Sequence, residues 1–182
     1  MHFISIQEAL TKGKGSVALR GWVYRERGSN EFKFIVLRDS SNIIQCVFKQ
    51  EKFSKKEWDE LDKVTVESAM TVEGTLKEDK RAPTGYELQA EQFTVVQRAD
   101  PFPITKDQSP EFLLDVRHLS IRSRRLTAVM KIRHTVMKSF RDYFMHQKFI
   151  EMAPPIFTPN ACEGGSTLFE VKYYKEKMYL TQ

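Results

Sequence analysis

The sequence contains no apolar run near the ~18 residues that a membrane-spanning helix requires, and its first residues do not form a signal peptide. Cysteine is scarce. Cys46 and Cys162 lie far apart in the chain and are predicted to be reduced thiols. The four histidines have no spacing typical of metal ligands, so no metal site is predicted. These absences favour a soluble cytoplasmic protein that does not enter a membrane.

No strong excess of one charge is present either. The chain has 29 Lys+Arg and 24 Asp+Glu, which give a net charge of +5 and a pI of about 9.1. This balance permits a nucleic-acid partner without establishing one. Hydrophobic residues make up 41% and aromatic residues 12% of the chain, which is enough for a sizeable core. A nucleic-acid site must therefore be located from particular residues.

The first half of the chain is predicted to form five β-strands. Hydrophobic residues recur with the strand period of two over residues 16–25, 32–38, 43–48, 69–77 and 86–97. A helix is predicted over residues 52–63, between the third and fourth strands. Three strands, a helix and two strands form the order of an OB-fold barrel, a fold that binds oligonucleotides on the face of its central strands.

The second predicted strand is apolar on both faces. Phe34 lies on one face, whereas Ile35 and Leu37 lie on the other. On the third strand, Gln45 occupies a position where the pattern would place a hydrophobic residue. An aromatic ring beside an amide suits one unpaired base, because the ring stacks on the base and the amide hydrogen-bonds its edge. The alternative is a core phenylalanine beside a hydrogen-bonded glutamine, and the pattern leaves both open.

The second half begins with a long amphipathic segment. Apolar residues recur at helical spacing over residues 124–148, and residues 149–153 predict a short strand. Residues 170–174 and 178–182 predict two further strands around a turn at 175–177. Two prolines halt the short strand, and a loop with one acid and two glycines follows them: Pro154, Pro155, Glu163, Gly164 and Gly165.

This order of helix, strand, proline and loop resembles the first signature motif of the class II aminoacyl-tRNA synthetases. The glycine loop is similar to that of the aspartyl/asparaginyl group, where it closes over the amino acid. The resemblance implies an OB-fold barrel over residues 1–98 and a linker over residues 99–112. It implies the start of an α+β catalytic domain, with a truncated antiparallel sheet, over residues 113–182. The chain is thus expected to be the N-terminal portion of such an enzyme.

Three segments of the first half look like the anticodon-binding domain of this group: residues 22–27, 34–39 and 44–47. In the family, a strand-two aromatic stacks on the central anticodon base and a glutamine eleven residues later hydrogen-bonds it, which implies these roles for Phe34 and Gln45. Arg27 corresponds to an arginine that contacts the anticodon loop. Glu87 corresponds to an acid that reads guanine at the first anticodon position. A solvated strand charge is the alternative for Glu87.

The resemblance also implies roles in the second half. Glu163 corresponds to a residue that binds the α-ammonium of the amino acid. The amino-acid and adenylate pocket would comprise Glu163, Gly164, Gly165 and Gln182. A homodimer interface is implied at Phe140, Phe144 and Pro155. ATP and Mg²⁺ are implied for the complete enzyme, with their sites mostly beyond Gln182, so no catalytic residue is predicted within this chain.

Within the group, the asparaginyl branch is favoured by Thr167 in the loop and by the run at residues 82–88. The predicted function is recognition of the anticodon of tRNA(Asn) as part of an ATP-dependent asparagine–tRNA ligase. Asparagine and ATP would be substrates of the complete enzyme, and this chain alone is expected to be inactive. The alternatives are an aspartyl-tRNA synthetase, including one that charges both tRNAs, and a free-standing, non-catalytic tRNA-binding OB module.

Overall fold

The chain divides into two compact units, Met1–Pro110 and Glu111–Gln182. The computed structural model describes residues 2–105, 108–159 and 168–181. None of the described helices is long and apolar enough to cross a membrane. Within the same residues, no three His, Cys, Asp or Glu side chains are grouped so that they could hold a metal ion.

The first unit is a closed barrel of five strands. The strands are β1 Gly15–Gly28, β2 Phe32–Arg38, β3 Ile43–Lys49, β4 Ala69–Glu78 and β5 Tyr86–Gln97. Their order around the barrel is β1-β2-β3-β5-β4. The β3–β5 pair is parallel, and the other neighbouring strands are antiparallel. This architecture confirms the predicted OB fold.

The barrel core follows from the strand period of two. Ile35 and Leu37 of β2 are buried, and Phe48 of β3 is completely buried. The Phe48 ring packs at 5.8 Å from Phe53 and at 5.6 Å from Phe93, measured between ring centroids. Phe53 and Phe93 are partly buried, and their rings pack against each other and cover Phe48 at one side of the core.

Cys46 of β3 lies in the same core as a free thiol. Burial raises the pKa of the Cys46 thiol to about 12, so the sulfur stays protonated and unreactive. This agrees with the prediction of a reduced, buried cysteine. Cys162 lies outside the described residues.

A short helix, α1 Ile6–Lys12, precedes the barrel and was not predicted. It begins with a capping box, in which the Ser5 side chain accepts from the Glu8 N–H and the Glu8 carboxylate accepts from the Ser5 N–H. Hydrogen bonds from the Ser5 backbone and side chain lower the pKa of the Glu8 carboxyl. Ile6 and Ala9 of this helix join the core.

The helix predicted between the third and fourth strands is shorter than expected. Helix α2 spans Lys55–Leu61, and Gln50–Lys52 form a separate 3₁₀ turn. The reason is a second capping box, formed by Ser54 and Glu57, which fixes where the α-helix begins. Trp58 and Leu61 are the buried residues of α2 and belong to the barrel core.

The second unit contains three helices in its described part, α3 Pro110–Asp115, α4 Arg117–Ser120 and α5 Arg124–His146. Helix α3 begins inside the stretch 99–112 that was predicted as a linker. Ser123 is the N-cap of helix α5, and its side chain accepts from the Leu126 N–H. The predicted long helix is confirmed, with its end at His146 rather than at residue 148.

A small antiparallel sheet follows helix α5. Its strands are β6 Phe157–Thr158, β7 Glu170–Tyr173 and β8 Glu176–Leu180, in the order β6-β8-β7. The prediction of a strand over residues 149–153 is wrong, because in the described chain the first strand after α5 lies beyond Pro154 and Pro155. Proline supplies no N–H for a strand ladder and restricts the residue before it. The chain therefore pairs only once both prolines have passed.

The two strands predicted near the end of the chain are confirmed, but their turn lies earlier than predicted. Tyr174 and Lys175 form the turn, and Tyr174 has a left-handed φ of 54°. Glu176 and Lys177 already belong to β8. A two-residue turn keeps Val171 paired with Met178 and Tyr173 paired with Glu176.

Candidate nucleic-acid interface

The outer face of β1 and β2 pairs a guanidinium with an aromatic ring. Arg27 of β1 is the register partner of Phe34 of β2, and its Cζ lies 5.1 Å from the centroid of the Phe34 ring. This is a cation–π contact. Phe34 is half-buried on the face opposite the buried side chains of Ile35 and Leu37. The alternative of a core phenylalanine is therefore wrong.

Phe32 extends this aromatic surface along the same strand. The Phe32 and Phe34 rings are stacked, with centroids 6.4 Å apart and planes inclined by 20°. Phe32 is 37% exposed, which is high for a ring of its size. Two stacked rings on the outside of an OB barrel offer a flat platform on which an unpaired base can lie.

Gln45 of β3 stands next to this platform. It is only 7% exposed although it lies on the outer face of the barrel, where its register partner on β2 is Val36. Its side-chain Oε1 accepts a long hydrogen bond of 3.4 Å from Nη2 of Arg27. The amide is thus fixed with its oxygen towards the guanidinium.

Glu87 of β5 joins the group through the parallel pairing of β3 and β5, which makes Gln45 and Glu87 register partners. Nε2 of Gln45 lies 3.4 Å from Oε2 of Glu87. Glu87 is 6% exposed, so the alternative of a solvated strand charge is wrong. A carboxylate buried to this degree requires hydrogen bonds to compensate its lost hydration.

Gln89 supplies the shortest of these hydrogen bonds and was not predicted from the sequence. Its Nε2 donates to Oε1 of Glu87 at 2.7 Å. The signal was available, because residues i and i+2 of a strand share a face and Glu87 had already been selected. What was missing was a reason to expect the carboxylate to be buried.

The loop before β5 adds a positive charge to this end of the barrel. The Arg81 guanidinium donates to both carboxylate oxygens of Asp79, at 3.2 Å and 3.0 Å. The hydrogen bond and the charge of Asp79 raise the pKa of Arg81, and the negative charge of Glu87 contributes less. The Arg81 side chain is 91% exposed, so its guanidinium remains accessible to an anionic ligand.

Four of the sequence-predicted residues thus meet on one barrel face. We call this group the barrel-face cluster: Arg27, Phe34, Gln45 and Glu87. It combines a ring for stacking, a cation for a phosphate, and an amide and a carboxylate that hydrogen-bond base edges. The four residues come from four different strands, and Glu87 joins the other three through the parallel pairing of β3 with β5.

The residues predicted in the second unit are less fully described. Glu163, Gly164, Gly165, Thr167 and Gln182 all lie outside the described residues. Phe140 and Phe144 of helix α5 are 61% and 47% exposed, and Pro155 is exposed. The Phe144 ring contacts the ring of Phe149 at a centroid distance of 5.5 Å. These aromatic side chains are available for a partner surface.

Two family models match the chain, one for each unit. Residues 17–96 match the OB-fold nucleic acid binding domain. Residues 109–182 match the class II tRNA synthetases of the D, K and N group. The two matches follow one another in the order of the two units.

Individual proteins match along nearly the whole chain. The asparagine–tRNA ligase of Thermoplasma acidophilum is 46% identical over 181 residues, which are 98% of this chain and 42% of that protein. The one of Thermococcus gammatolerans is 49% identical over 166 residues, 91% of this chain and 38% of that protein. The chain therefore spans about two fifths of the length of these curated relatives.

Solved structures agree with this match. Asparaginyl-tRNA synthetase from Pyrococcus horikoshii, complexed with asparaginyl-adenylate, superposes with a TM-score of 0.90 at 36% identity. The superposition covers 100% of this chain and 43% of that protein. The asparaginyl-tRNA synthetase of Entamoeba histolytica, also with asparaginyl-adenylate, has a TM-score of 0.77 at 29% identity and covers 92% of this chain. Of that protein, 40% is covered.

Proposed function

We propose that the chain is an N-terminal portion of a class II tRNA synthetase of the D, K and N group, of the asparaginyl type, and that its barrel binds the anticodon loop of tRNA(Asn). The activity to which this binding contributes is ATP-dependent charging of that tRNA with asparagine. The observation that carries the proposal is the barrel-face cluster. The curated relatives named above favour asparagine over aspartate.

Phe34 is proposed to stack on the central base of the anticodon. Its half-buried ring contacts the Arg27 guanidinium and is stacked with the ring of Phe32. Gln45 lies close enough to hydrogen-bond the edge of the stacked base, and uridine, the central base of a GUU anticodon, presents both a donor and an acceptor to an amide. Arg27 supplies positive charge for the phosphates of the loop.

Glu87 is proposed to select guanine at the first anticodon position. The Watson–Crick edge of guanine carries a ring N–H and an amino group, and a carboxylate can accept hydrogen bonds from both. Adenine presents a ring-nitrogen acceptor instead, which a buried carboxylate repels. Because Glu87 is already desolvated, leaving it opposite a mismatched edge is costly, and this favours guanine.

The amino-acid and adenylate pocket is proposed at Glu163, Gly164, Gly165 and Gln182. ATP and Mg²⁺ are proposed as cosubstrate and cofactor of the full-length enzyme, where the metal would neutralise phosphate charge during adenylate formation. The described part of this chain offers no group of three metal-ligating side chains.

We also propose a homodimer formed through α5 and the segment that contains Pro155, within a cytoplasmic enzyme. Phe140 and Phe144 are exposed aromatic residues on one helix, and such side chains are common at the centre of subunit interfaces. The proposed domain boundaries are residues 1–98 for the barrel, 99–112 for the linker and 113–182 for the catalytic portion.

The proposed function is tested by Phe34→Ala. Without the stacking ring, binding of an anticodon stem-loop with the sequence GUU is expected to weaken by ~1–3 kcal/mol. The measurement is a fluorescence titration of the purified chain with the labelled stem-loop. Phe169→Ala is the matched control, because Phe169 is an exposed phenylalanine of the other unit. Unchanged affinity of a folded Phe34→Ala variant would contradict the proposal.

A further inference from the structure

Glu87 is a buried carboxylate whose described hydrogen bonds come from neutral amides. Gln89 donates to Oε1 at 2.7 Å, and Gln45 approaches Oε2 at 3.4 Å. Among the described residues, no lysine or arginine forms an ion pair with Glu87. The short bond from Gln89 is therefore the strongest described constraint on the orientation of this carboxylate.

Gln89 is itself held in place by the sheet. It is half-buried on β5, where its register partners are Val47 of β3 and Thr75 of β4. A strand that is paired on both sides has little freedom to shift, so the backbone from which the Gln89 side chain extends is held in place. A carboxylate, by contrast, turns easily about its last side-chain torsion, which is broad and two-fold. A donor that holds one carboxylate oxygen in place also fixes the plane of the carboxylate and so the position of the other oxygen.

We propose that Gln89 is a positioning residue for guanine selection. By holding Oε1 of Glu87, it keeps the plane of the carboxylate fixed, so that both oxygens retain free lone pairs in the orientation that the two donors of guanine require. This inference rests on the proposed function of the barrel-face cluster. It extends that cluster by a residue that acts through Glu87 and not by contact with the base.

The orientation of the Glu87 carboxylate affects the discrimination between two bases more than it affects the overall affinity for RNA. A carboxylate free to rotate can move away from the acceptor nitrogen of adenine, which reduces the penalty for the wrong base. It also loses the aligned pair of hydrogen bonds to guanine. Removal of the Gln89 amide should therefore lower the preference for guanine while leaving stacking on Phe34 and the phosphate contacts of Arg27 intact.

The test compares two stem-loops, one with GUU and one with AUU, bound to the full chain and to its Gln89→Met variant. Methionine keeps the length of the side chain but has no N–H donor. We expect the ratio of the AUU dissociation constant to the GUU dissociation constant to fall by about five- to tenfold, because GUU binding weakens while AUU binding is unchanged or slightly tighter. Gln92→Met is the matched control, since Gln92 is an exposed glutamine of the same strand outside the cluster.

The possible outcomes separate the alternatives. Equal weakening of both stem-loops, or an unchanged ratio in the folded variant, would overturn the positioning role. If Gln89→Met does not fold, Gln89→Asn takes its place: its amide is one methylene too short to reach Oε1, so the same loss of preference is expected and a wild-type ratio would refute the role. A wild-type chain that does not prefer GUU would contradict the proposed function of Glu87, and the role of Gln89 would fall with it.

Discussion

The two units of the chain differ in how far their apolar side chains are buried. In the barrel, Leu37 and Phe48 are completely buried, and they belong to a continuous core. No residue of helix α5 in the second unit is buried, and its Phe140 and Tyr143 are 61% and 62% exposed. A long amphipathic helix with its apolar side uncovered depends on further surface. The barrel can therefore be stable by itself, whereas the second unit requires additional contacts.

The largest expected effect is on the barrel core, which contains the hydrophobic cluster of the described residues. Phe48→Ala should lower the free energy of unfolding of a barrel fragment, residues 1–110, by about 3–5 kcal/mol. The reason is the cavity left between Phe53 and Phe93, the rings that pack against Phe48. Urea denaturation followed by circular dichroism measures this change. In the full chain, Phe140→Ala should change the free energy of unfolding of the barrel by less than about 0.5 kcal/mol. If the two substitutions lowered this free energy equally, the proposed difference between the two units would be contradicted.

A medium effect is expected at Asp39, which ties the turn after β2 to the start of α1. Its Oδ2 accepts from the Ile6 N–H at 2.8 Å, and its Oδ1 accepts from the N–H groups of Ser41 and Asn42 at 2.7 Å and 2.9 Å. Asp39→Ala removes all these bonds and should destabilise the barrel fragment by about 1–2 kcal/mol at neutral pH. Asp59→Ala, at an exposed position of α2, is the matched control and should change stability little.

The pH dependence of this effect has a defined sign. Burial raises the pKa of the Asp39 carboxyl, but the hydrogen bonds from Ile6, Ser41 and Asn42 outweigh burial and lower the pKa below 3.8. The ionised carboxylate thus stabilises the folded barrel above the unfolded pKa, and this contribution is lost as pH falls through the lower folded pKa. The difference between wild type and Asp39→Ala should shrink below about pH 4. A difference that grows on acidification would contradict this assignment.

The smallest effect on stability is expected on α5, where the consequence is assembly instead. The double change Phe140→Ser and Phe144→Ser should leave the barrel transition within about 0.5 kcal/mol of wild type. It should convert a self-associated full chain into a monomer, because it removes two exposed rings from the proposed interface. Light scattering at micromolar concentration measures this. A monomeric wild-type chain would contradict the prediction, and a dimer of residues 1–99 would place the interface on the barrel.

The barrel could be predicted well because its strands are indicated by a local feature of the sequence, the period of two in apolar residues. The period of two separates Phe34 from Ile35 and Leu37, and the structure places them on opposite faces as that period requires. Helix α1 escaped prediction because its seven residues give too few turns for a helical period to be visible. The strand expected at residues 149–153 was wrong because an apolar run that ends at prolines does not specify a partner strand, and the first described strand pairing after α5 occurs at Phe157.

The barrel-face cluster could be predicted only in part. The approach of Gln45 to Glu87 depends on the parallel pairing of β3 with β5, strands separated by α2 and β4 in the sequence. No local pattern encodes this pairing, and Glu87 was selected through the family resemblance. The burial of Glu87 depends on its pairing with β3 and could not be predicted from the alternation along β5, although that alternation does place Gln89 on the same face as Glu87.

The most direct test of the account is whether the barrel alone binds RNA. The fragment of residues 1–110 should bind the GUU stem-loop within about threefold of the affinity of the full chain, since the proposed base and phosphate contacts all belong to the barrel. Binding of both proteins should weaken with increasing salt, as expected for contacts to phosphate. Isothermal or fluorescence titration of the two proteins under the same buffer decides it. A folded barrel fragment that does not bind, while the full chain does, would contradict the account and place the interface in the second unit.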